Sequence, residues 1–166
     1  HIQYAQPPFL LRNLEGKSFA NVSAGSGEVF SQSHVGRGLA VGDIDNDGDP
    51  DVVVSNLDTP AVVFRNEGGN KQNWIIIDPE GTNSNRDGIG AEIEILTGSG
   101  RKLFATVTTT SSYQSASDHR VHFGLKGEDS ITSMRIRWPS GTIQSLENVS
   151  VNQILKVIEP KTSTGE

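Results

Sequence analysis

The sequence contains no cysteine and no long apolar run. The absence of cysteine excludes disulfide bonds, thiolate metal sites and cysteine nucleophiles, but it does not decide the cellular compartment. No stretch reaches the roughly 18 apolar residues that a membrane-spanning helix requires. We therefore expect no membrane span.

Positive charge and aromatic residues are also scarce. The formal net charge is −6 at pH 7, and five closely spaced aspartates account for five of these charges, which leaves the rest of the chain nearly neutral. A nucleic-acid-binding protein presents a basic face, so we expect no nucleic-acid partner. Aromatic residues make up only 6% of the chain, which is a low supply for a surface that binds sugars by ring stacking.

The chain is instead rich in glycine and in short β-forming runs. It has 166 residues, of which 18 are glycine and 34% are hydrophobic. No helical period is convincing, and short strands separated by turn residues predict an all-β fold. The sequence pattern changes near residue 70, from loop-rich to strand-rich. We predict a loop-rich unit over residues 1–70, a strand-rich unit over residues 71–160 and a disordered tail over residues 161–166.

The most informative stretch is residues 42–51, which read Gly-Asp-Ile-Asp-Asn-Asp-Gly-Asp-Pro-Asp. Alternating carboxylates repel one another unless a hard cation is bound, and calcium takes six to eight oxygen ligands. The single glycine provides the sharp turn that wraps a chain around an ion. We predict a calcium loop over residues 43–51 in which Asp43, Asp45, Asp47 and Asp51 contribute carboxylates and Asp49 contributes its carbonyl oxygen.

The flanks of this loop favour strands rather than helices. A calcium-binding EF-hand would place a glutamate at its twelfth position, but counting from Asp43 that position is Val54. The loop is preceded by Leu-Ala-Val and followed by Val-Val-Val, both β-forming runs. An acidic hairpin turn without an ion is the simpler alternative, but such a turn needs one or two of these residues, not five.

The strand-rich unit shows clean alternation of apolar side chains. Several short strands at this spacing predict an antiparallel sandwich or barrel, with Trp74 and Trp138 in its core. The predicted inward-facing sets are Ala91, Ile93 and Ile95; Leu103, Ala105, Val107 and Thr109; Val121, Phe123 and Leu125; and Met134, Ile136 and Trp138. A final strand is predicted over residues 153–158.

The acidic loop, preceded by Gly-Leu-Ala-Val-Gly, resembles the calcium-binding FG-GAP or VCBS-type repeat. That repeat occurs in integrin α-chain propellers and in bacterial surface repeats. The sequence departs from it at Pro50, where an aliphatic residue is usual. The resemblance implies one propeller blade. Because a closed propeller needs about four to eight blades, we expect the chain to be part of a longer repeat protein.

The strand-rich unit resembles the ASPIC/UnbV domain of the cartilage acidic protein family and its bacterial relatives. The matching residues are Gly-Thr-Asn-Ser-Asn-Arg-Asp-Gly-Ile-Gly-Ala from position 81, Arg-Val-His-Phe-Gly-Leu from position 120, Arg-Trp-Pro-Ser-Gly from position 137, and Asn-Gln at position 152. The resemblance implies a location that is extracellular, at the cell surface or periplasmic. It implies no established reaction.

These observations favour a non-enzymatic, calcium-binding module for adhesion or ligand recognition. Its partner would be an extracellular protein or a glycan, and exposed strand edges would allow a homo-oligomer. One alternative is a carbohydrate-binding accessory module of a larger polysaccharide-active protein. A hydrolase that uses the region from Asp118 to His122 is less favoured, because His119 and His122 are predicted on opposite faces of one strand. We expect these histidines to make hydrogen bonds at the strand end.

Overall fold

The computed structural model describes residues 3–161, so residues 162–166 of the predicted tail lie outside the described part. Within the described residues the chain forms fourteen strands and no α-helix. None of these residues forms a helix long and apolar enough to cross a membrane. The strands are β1 (Leu11–Leu14), β2 (Ser18–Asn21), β3 (Gly36–Gly42), β4 (Asp51–Asn56), β5 (Val62–Phe64), β6 (Asn73–Glu80), β7 (Glu92–Thr97), β8 (Lys102–Thr106), β9 (Thr110–Ser112), β10 (Ser115–Ala116), β11 (Val121–Lys126), β12 (Ile131–Arg137), β13 (Ile143–Val149) and β14 (Gln153–Ile158). Short 3-10 turns cover Ser23–Gly25, Glu28–Ser31 and Gly69–Lys71.

Strands β6–β8 and β11–β14 form a two-layer sandwich, which confirms the all-β prediction. One sheet has the strand order β13-β12-β7-β8 and is antiparallel throughout, and the other has the order β11-β6-β14. The two sheets do not close into a barrel. The sandwich is antiparallel, as predicted, at every pair but one: β14 runs parallel to β6. The chain changes sheets between β13 and β14, so the last strand enters beside β6 in the same direction.

The apolar side chains predicted to point inward do fill the space between these sheets. Ile93, Ile95, Leu125 and Met134 have no exposed surface, and Trp138 is 1% exposed. Strand β6 extends to Glu80 because β14 pairs with it from Ile75 to Glu80. A turn-rich connection rich in glycine follows and leads to β7.

A buried glutamate closes the end of the sandwich. Glu159 is 1% exposed and lies directly after β14. Its Oε2 accepts hydrogen bonds from the backbone N–H groups of Thr82, Asn83 and Ser84, at 2.8, 2.8 and 2.7 Å. Its Oε1 accepts from the hydroxyls of Ser84 and Ser140. The carboxylate therefore ties the end of the last strand to the loop after β6.

The first part of the chain forms only small sheets within the described residues. Strands β3, β4 and β5 form one antiparallel sheet, and β1 and β2 form a separate hairpin. A propeller blade has four strands, so this sheet corresponds to three of them. Below, residues 3–70 are called the repeat and residues 71–160 the sandwich, following the division predicted from the sequence.

The β9–β10 hairpin of the sandwich lies along the free edge of β3. The N–H groups of Leu39 and Val41 donate to the hydroxyls of Ser112 and Ser117, both at 3.1 Å. The N–H of Asp118 donates to the carbonyl of Val41 at 2.9 Å. A side chain at Gly38 would overlap the β9–β10 turn. This contact places the acidic loop, which follows β3, against the sandwich.

Candidate metal centre

The acidic loop connects β3 to β4 and brings three of its carboxylates together. Gly42 and Asp51 are paired across the two strands, so the loop begins and ends at one point. Asp43, Asp45 and Asp51 each offer a carboxylate oxygen, and these oxygens all lie within 4.8 Å of one another. The two residues at the strand ends are nearly buried, at 6% and 2% exposure for Asp43 and Asp51. The loop therefore forms a small pocket of carboxylate oxygens.

Hydrogen bonds from the backbone fix the position of two of these carboxylates. Asp43 accepts from the N–H groups of Asp47, at 3.1 Å, and Gly48, at 2.9 Å. Asp51 accepts from the N–H of Ile44 at 3.1 Å and from that of Asn66 at 2.8 Å. Each carboxylate thus organises the turn of the loop as well as facing its neighbours.

The structure places the other two predicted site residues outside this group of three. Asp47 accepts a hydrogen bond from the N–H of Asp49 at 3.1 Å. The carboxylate of Asp49 is fully buried and accepts from the N–H groups of Gly69 and Asn70, at 2.9 and 3.3 Å. Its side chain therefore joins the loop to the turn before β6, while its carbonyl stays within the loop.

Little positive charge in the described residues compensates these aspartates. Arg65 pairs with Asp45 at 2.5 Å, but it is shared with Glu67 at 2.8 Å. Arg120 reaches the carbonyl of Asp43, but its charge is already paired with Asp118. The hydrogen bond that Arg120 donates to Asp118 raises the pKa of Arg120, so this guanidinium stays charged.

The donor set fits a hard divalent cation. Buried carboxylates are costly unless they are paired or coordinate a metal, and three aspartates of this loop are nearly or fully buried. Burial, together with the charge of Asp47, raises the pKa of Asp49. The Oδ1 atom of Asp49 is buried and has no hydrogen-bond partner. Oxygen-only donors on a tight loop suit calcium or magnesium rather than a softer metal.

Glycine at position 48 is required by both the loop and the sandwich. Its φ of +98° lies in the region that favours glycine. A Cβ at this position would overlap the indole of Trp74. The prediction that Trp74 lies in the sandwich core is therefore wrong. It is half-buried against the acidic loop because it lies at the start of β6, beside Gly48, whereas Trp138 is in the core as predicted.

The two histidines of the hydrolase alternative make different contacts, and Nδ1 of His119 lies 3.6 Å from Oδ1 of Asp118. His122 lies in β11, and its Nε2 is 3.0 Å from the carbonyl oxygen of Gly48. His119 precedes β11, so it is not on the predicted strand, and its Nε2 is 3.3 Å from Asp78. Asp118 binds Arg120 through Oδ2, at 2.6 Å. Both histidines thus make polar contacts near the beginning of the strand.

Sequence reasoning missed Arg120 as a neighbour of the acidic loop. Its guanidinium donates to the carbonyl of Asp43 at 2.8 Å and to Oδ1 of Asn46 at 2.7 Å. More than 70 residues separate these partners in the chain. Arg120 begins one of the motifs that resemble the ASPIC/UnbV domain, but that motif does not point to the acidic loop. Only the pairing of the two units in three dimensions reveals it.

Comparison with protein families agrees with this architecture. Residues 35–69 match the FG-GAP repeat, and residues 81–164 match the family described as ASPIC and UnbV. The first match contains the acidic loop with β3, β4 and β5. The second contains every strand of the sandwich except β6.

Three vertebrate proteins named Cartilage acidic protein 1 are similar to this chain. The protein from Xenopus tropicalis is 30% identical over 139 residues, that from Homo sapiens 28% over 140 residues, and that from Mus musculus 27% over 140 residues. Each alignment covers 81% of this chain and 21% of the relative. The chain thus spans about a fifth of the length of these curated relatives. With the family match covering half of its residues, the chain belongs to the ASPIC and UnbV family and carries an FG-GAP repeat before that domain.

Proposed function

We propose that the chain binds one calcium ion in the acidic loop and serves as a non-enzymatic extracellular module for adhesion or ligand recognition. The observation that carries this proposal is the convergence of carboxylate oxygens from Asp43, Asp45 and Asp51 within 4.8 Å. Asp47 and the carbonyl of Asp49 complete the ligand set that the sequence predicts. The ion supplies the positive charge that the neighbouring arginines provide only in part.

Calcium is favoured over magnesium by the number of carboxylates. Magnesium keeps several waters and is usually held by one or two carboxylates, whereas calcium accepts many oxygens in flexible geometry. The FG-GAP repeat that the chain matches commonly binds calcium, which supports the same choice. The ion would connect the end of β3 to the start of β4 through Asp43 and Asp51, and so stabilise a sheet with little apolar core.

The proposed setting follows from the relatives and from calcium availability. The similar vertebrate proteins are named cartilage acidic proteins, which supports a location that is extracellular, at the cell surface or periplasmic. Extracellular calcium modules bind their ion at about 0.1–1 mM, a range in which the loop would be occupied outside the cell. The partner would be an extracellular protein or a glycan.

Thermal unfolding tests the metal site directly. In 5 mM calcium, relative to EDTA, we expect the ion to stabilise the protein by about 1–2 kcal/mol if its dissociation constant is about 0.1–1 mM. Asp45→Asn removes the negative charge of one proposed ligand but keeps an oxygen, so it should reduce the difference. Asp58→Asn is the matched control, because Asp58 is an exposed aspartate of the same repeat with a φ of +60° that asparagine also adopts. An equal melting temperature with and without calcium in the unmodified chain would refute the proposal.

A groove in the repeat keeps the carbohydrate alternative open as a second candidate. It has a volume of about 810 Å³ and is lined by Pro8, Phe9, Asn21 and Phe30 among others. Phe9 is 67% exposed, so its ring is available for stacking on a sugar. A glycan array in calcium should then show binding that Phe9→Ala removes and that Phe104→Ala, a change at an equally exposed phenylalanine on β8, does not. Absence of glycan binding would reject this candidate.

A further inference from the structure

The acidic loop is held from outside by residues of the sandwich. Arg120 binds the carbonyl of Asp43 and the side chain of Asn46, while His122 lies 3.0 Å from the carbonyl of Gly48. Trp74 covers the same glycine. The loop atoms that these residues contact belong to position 43, which is itself a proposed ligand, and to positions 46 and 48, which lie between the proposed ligands at 45, 47 and 49. Fixing these positions also fixes the carboxylates between them.

The contact continues beyond the loop along the edge of β3. The hydroxyls of Ser112 and Ser117 accept from the N–H groups of that strand, and the N–H of Asp118 donates to it. A narrow cleft of about 210 Å³ lies between the two units, and Asp43, Asp118, Arg120 and His122 are among its lining residues. The loop that would bind the ion is therefore part of the interface between the two units.

From this arrangement we infer that cation binding in the acidic loop and attachment of the sandwich to the repeat are coupled, with Arg120, His122 and Trp74 as positioning residues. The inference rests on the proposed function. Outer contacts that orient metal ligands raise metal affinity, and here those contacts come from the other unit. Because coupling between two binding events is reciprocal, an ion that orders the loop also strengthens the interface. The ion would then set the orientation of the ASPIC/UnbV domain relative to the repeats.

Calorimetric titration of the full chain with calcium tests the first half of the inference. We expect Arg120→Ala to weaken calcium binding about tenfold, a usual magnitude for coupled sites, while the stoichiometry remains one ion. Arg120→Lys keeps the charge but not the geometry of the guanidinium, so it should restore only part of the affinity. Arg135→Ala is the matched control, because it removes an exposed arginine of the same sandwich and should leave the affinity unchanged. His122→Ala should weaken binding by a smaller factor, about threefold.

The second half needs a readout of interdomain geometry. The chain has no native cysteine, so cysteines introduced at the exposed Thr59 and Thr132 can carry a donor and an acceptor dye on the repeat and the sandwich. Calcium should narrow the distance distribution of the otherwise unmodified chain. In the Arg120→Ala background the distance distribution should be broad without calcium. It should narrow only at a higher calcium concentration than the chain with Arg120 requires.

The possible results separate this inference from the proposed function. If the unmodified chain binds no calcium, the metal site itself is wrong, and the inference falls with it. If the chain binds calcium and Asp45→Asn weakens that binding, but both Arg120→Ala and His122→Ala bind with unchanged affinity, the site stands and the coupling is refuted. A dye distance that does not respond to calcium in any variant would also refute the coupling. Circular dichroism of each variant checks that the strands are retained.

Discussion

The sandwich and the repeat are ordered by different physical means. All fifteen buried apolar residues of the described chain lie between Ile75 and Val157. In the repeat the buried side chains are polar, namely Ser23, Asp43, Asp49 and Asp51. The sandwich is thus held by apolar burial, the dominant favourable contribution to folding. The repeat relies on carboxylates, backbone hydrogen bonds and its contact with the sandwich.

Several large apolar side chains of the repeat are exposed, in contrast to those of the sandwich. Phe9, Phe19 and Val63 are 67%, 66% and 57% exposed. A three-stranded sheet needs an apolar layer against one face to be stable by itself, and the described residues offer the repeat little of one. The comparison teaches that one continuous chain can join a unit with an apolar core to a unit held largely by polar contacts, some of them with its neighbour.

The largest expected effect is in the core of the sandwich. Ile93 is fully buried in β7, so Ile93→Ala should lower the free energy of unfolding by about 2–5 kcal/mol through lost burial and a residual cavity. Val63→Ala, at an exposed position of β5, should cost less than about 0.5 kcal/mol. Urea unfolding followed by tryptophan fluorescence measures both. Similar costs for the two variants would show that the repeat has a core of its own and would break the comparison.

Glu159 should produce the second largest effect. Glu159→Gln keeps the shape of the side chain but removes the negative charge of the carboxylate, whose Oε2 accepts three backbone hydrogen bonds. The NH2 group of the glutamine would face hydrogen-bond donors, which it cannot satisfy. We expect a loss of about 2–4 kcal/mol, as for a buried charge-assisted network. Glu147→Gln, at an exposed glutamate on β13, is the control and should be nearly neutral. A neutral Glu159→Gln would mean that the end of β14 is held by other contacts.

The same residue makes a pH prediction. Burial by itself raises the pKa of Glu159, but the hydrogen bonds from Ser140, Ser84, Asn83 and Thr82 outweigh it and lower the pKa from 4.5 to about 2. A lowered pKa in the folded state gives stability that is fully present above the unfolded value. The difference in unfolding free energy between the unmodified chain and Glu159→Gln should therefore be constant above about pH 5 and shrink as the pH falls towards 2. A difference independent of pH across this range would contradict the assignment.

Much of the sandwich and the acidic loop could be predicted from local sequence. Alternation at Ile93 and Ile95, or at Met134 and Ile136, gives the buried face of a strand because side chains in a strand have a period of two. The carboxylates at alternate positions from Asp43 likewise indicate a cation loop. Both signals are short in sequence and have a direct physical cause.

Contacts between distant parts of the chain could not be predicted in this way. Glu159 accepts from residues near position 83, and Arg120 reaches Asp43, so each interaction depends on how strands from separate regions come together. The parallel entry of β14 beside β6 has the same origin. The apolar alternation around Trp74 predicts a core position. The indole lies instead against Gly48, in the acidic loop of the preceding unit.

The smallest expected effect lies at the joint between the two regions. The hydroxyl of Ser117 accepts from the N–H of Val41 at 3.1 Å and shares a hydrogen bond with Ser111 at 2.7 Å. Ser117→Ala leaves that N–H without this acceptor and should cost about 1 kcal/mol. Because β3 is an edge strand of the repeat, the loss should appear as faster hydrogen exchange at the Val41 amide, with little change in the amides of β7. Ser145→Ala, at an exposed serine on β13, is the control and should leave both unchanged.

This experiment also sharpens the comparison, because its result depends on which region is less stable by itself. If the sandwich supports the repeat, loss of one hydroxyl acceptor should raise exchange along β3 and β4 while the sandwich core stays protected. If the proposed calcium site is correct, added calcium should then restore part of the protection, because the ion would stabilise the end of β3 through Asp43. Unchanged protection at Val41 in Ser117→Ala would show that β3 keeps its order without the sandwich, and the dependence of the repeat on its neighbour would have to be given up.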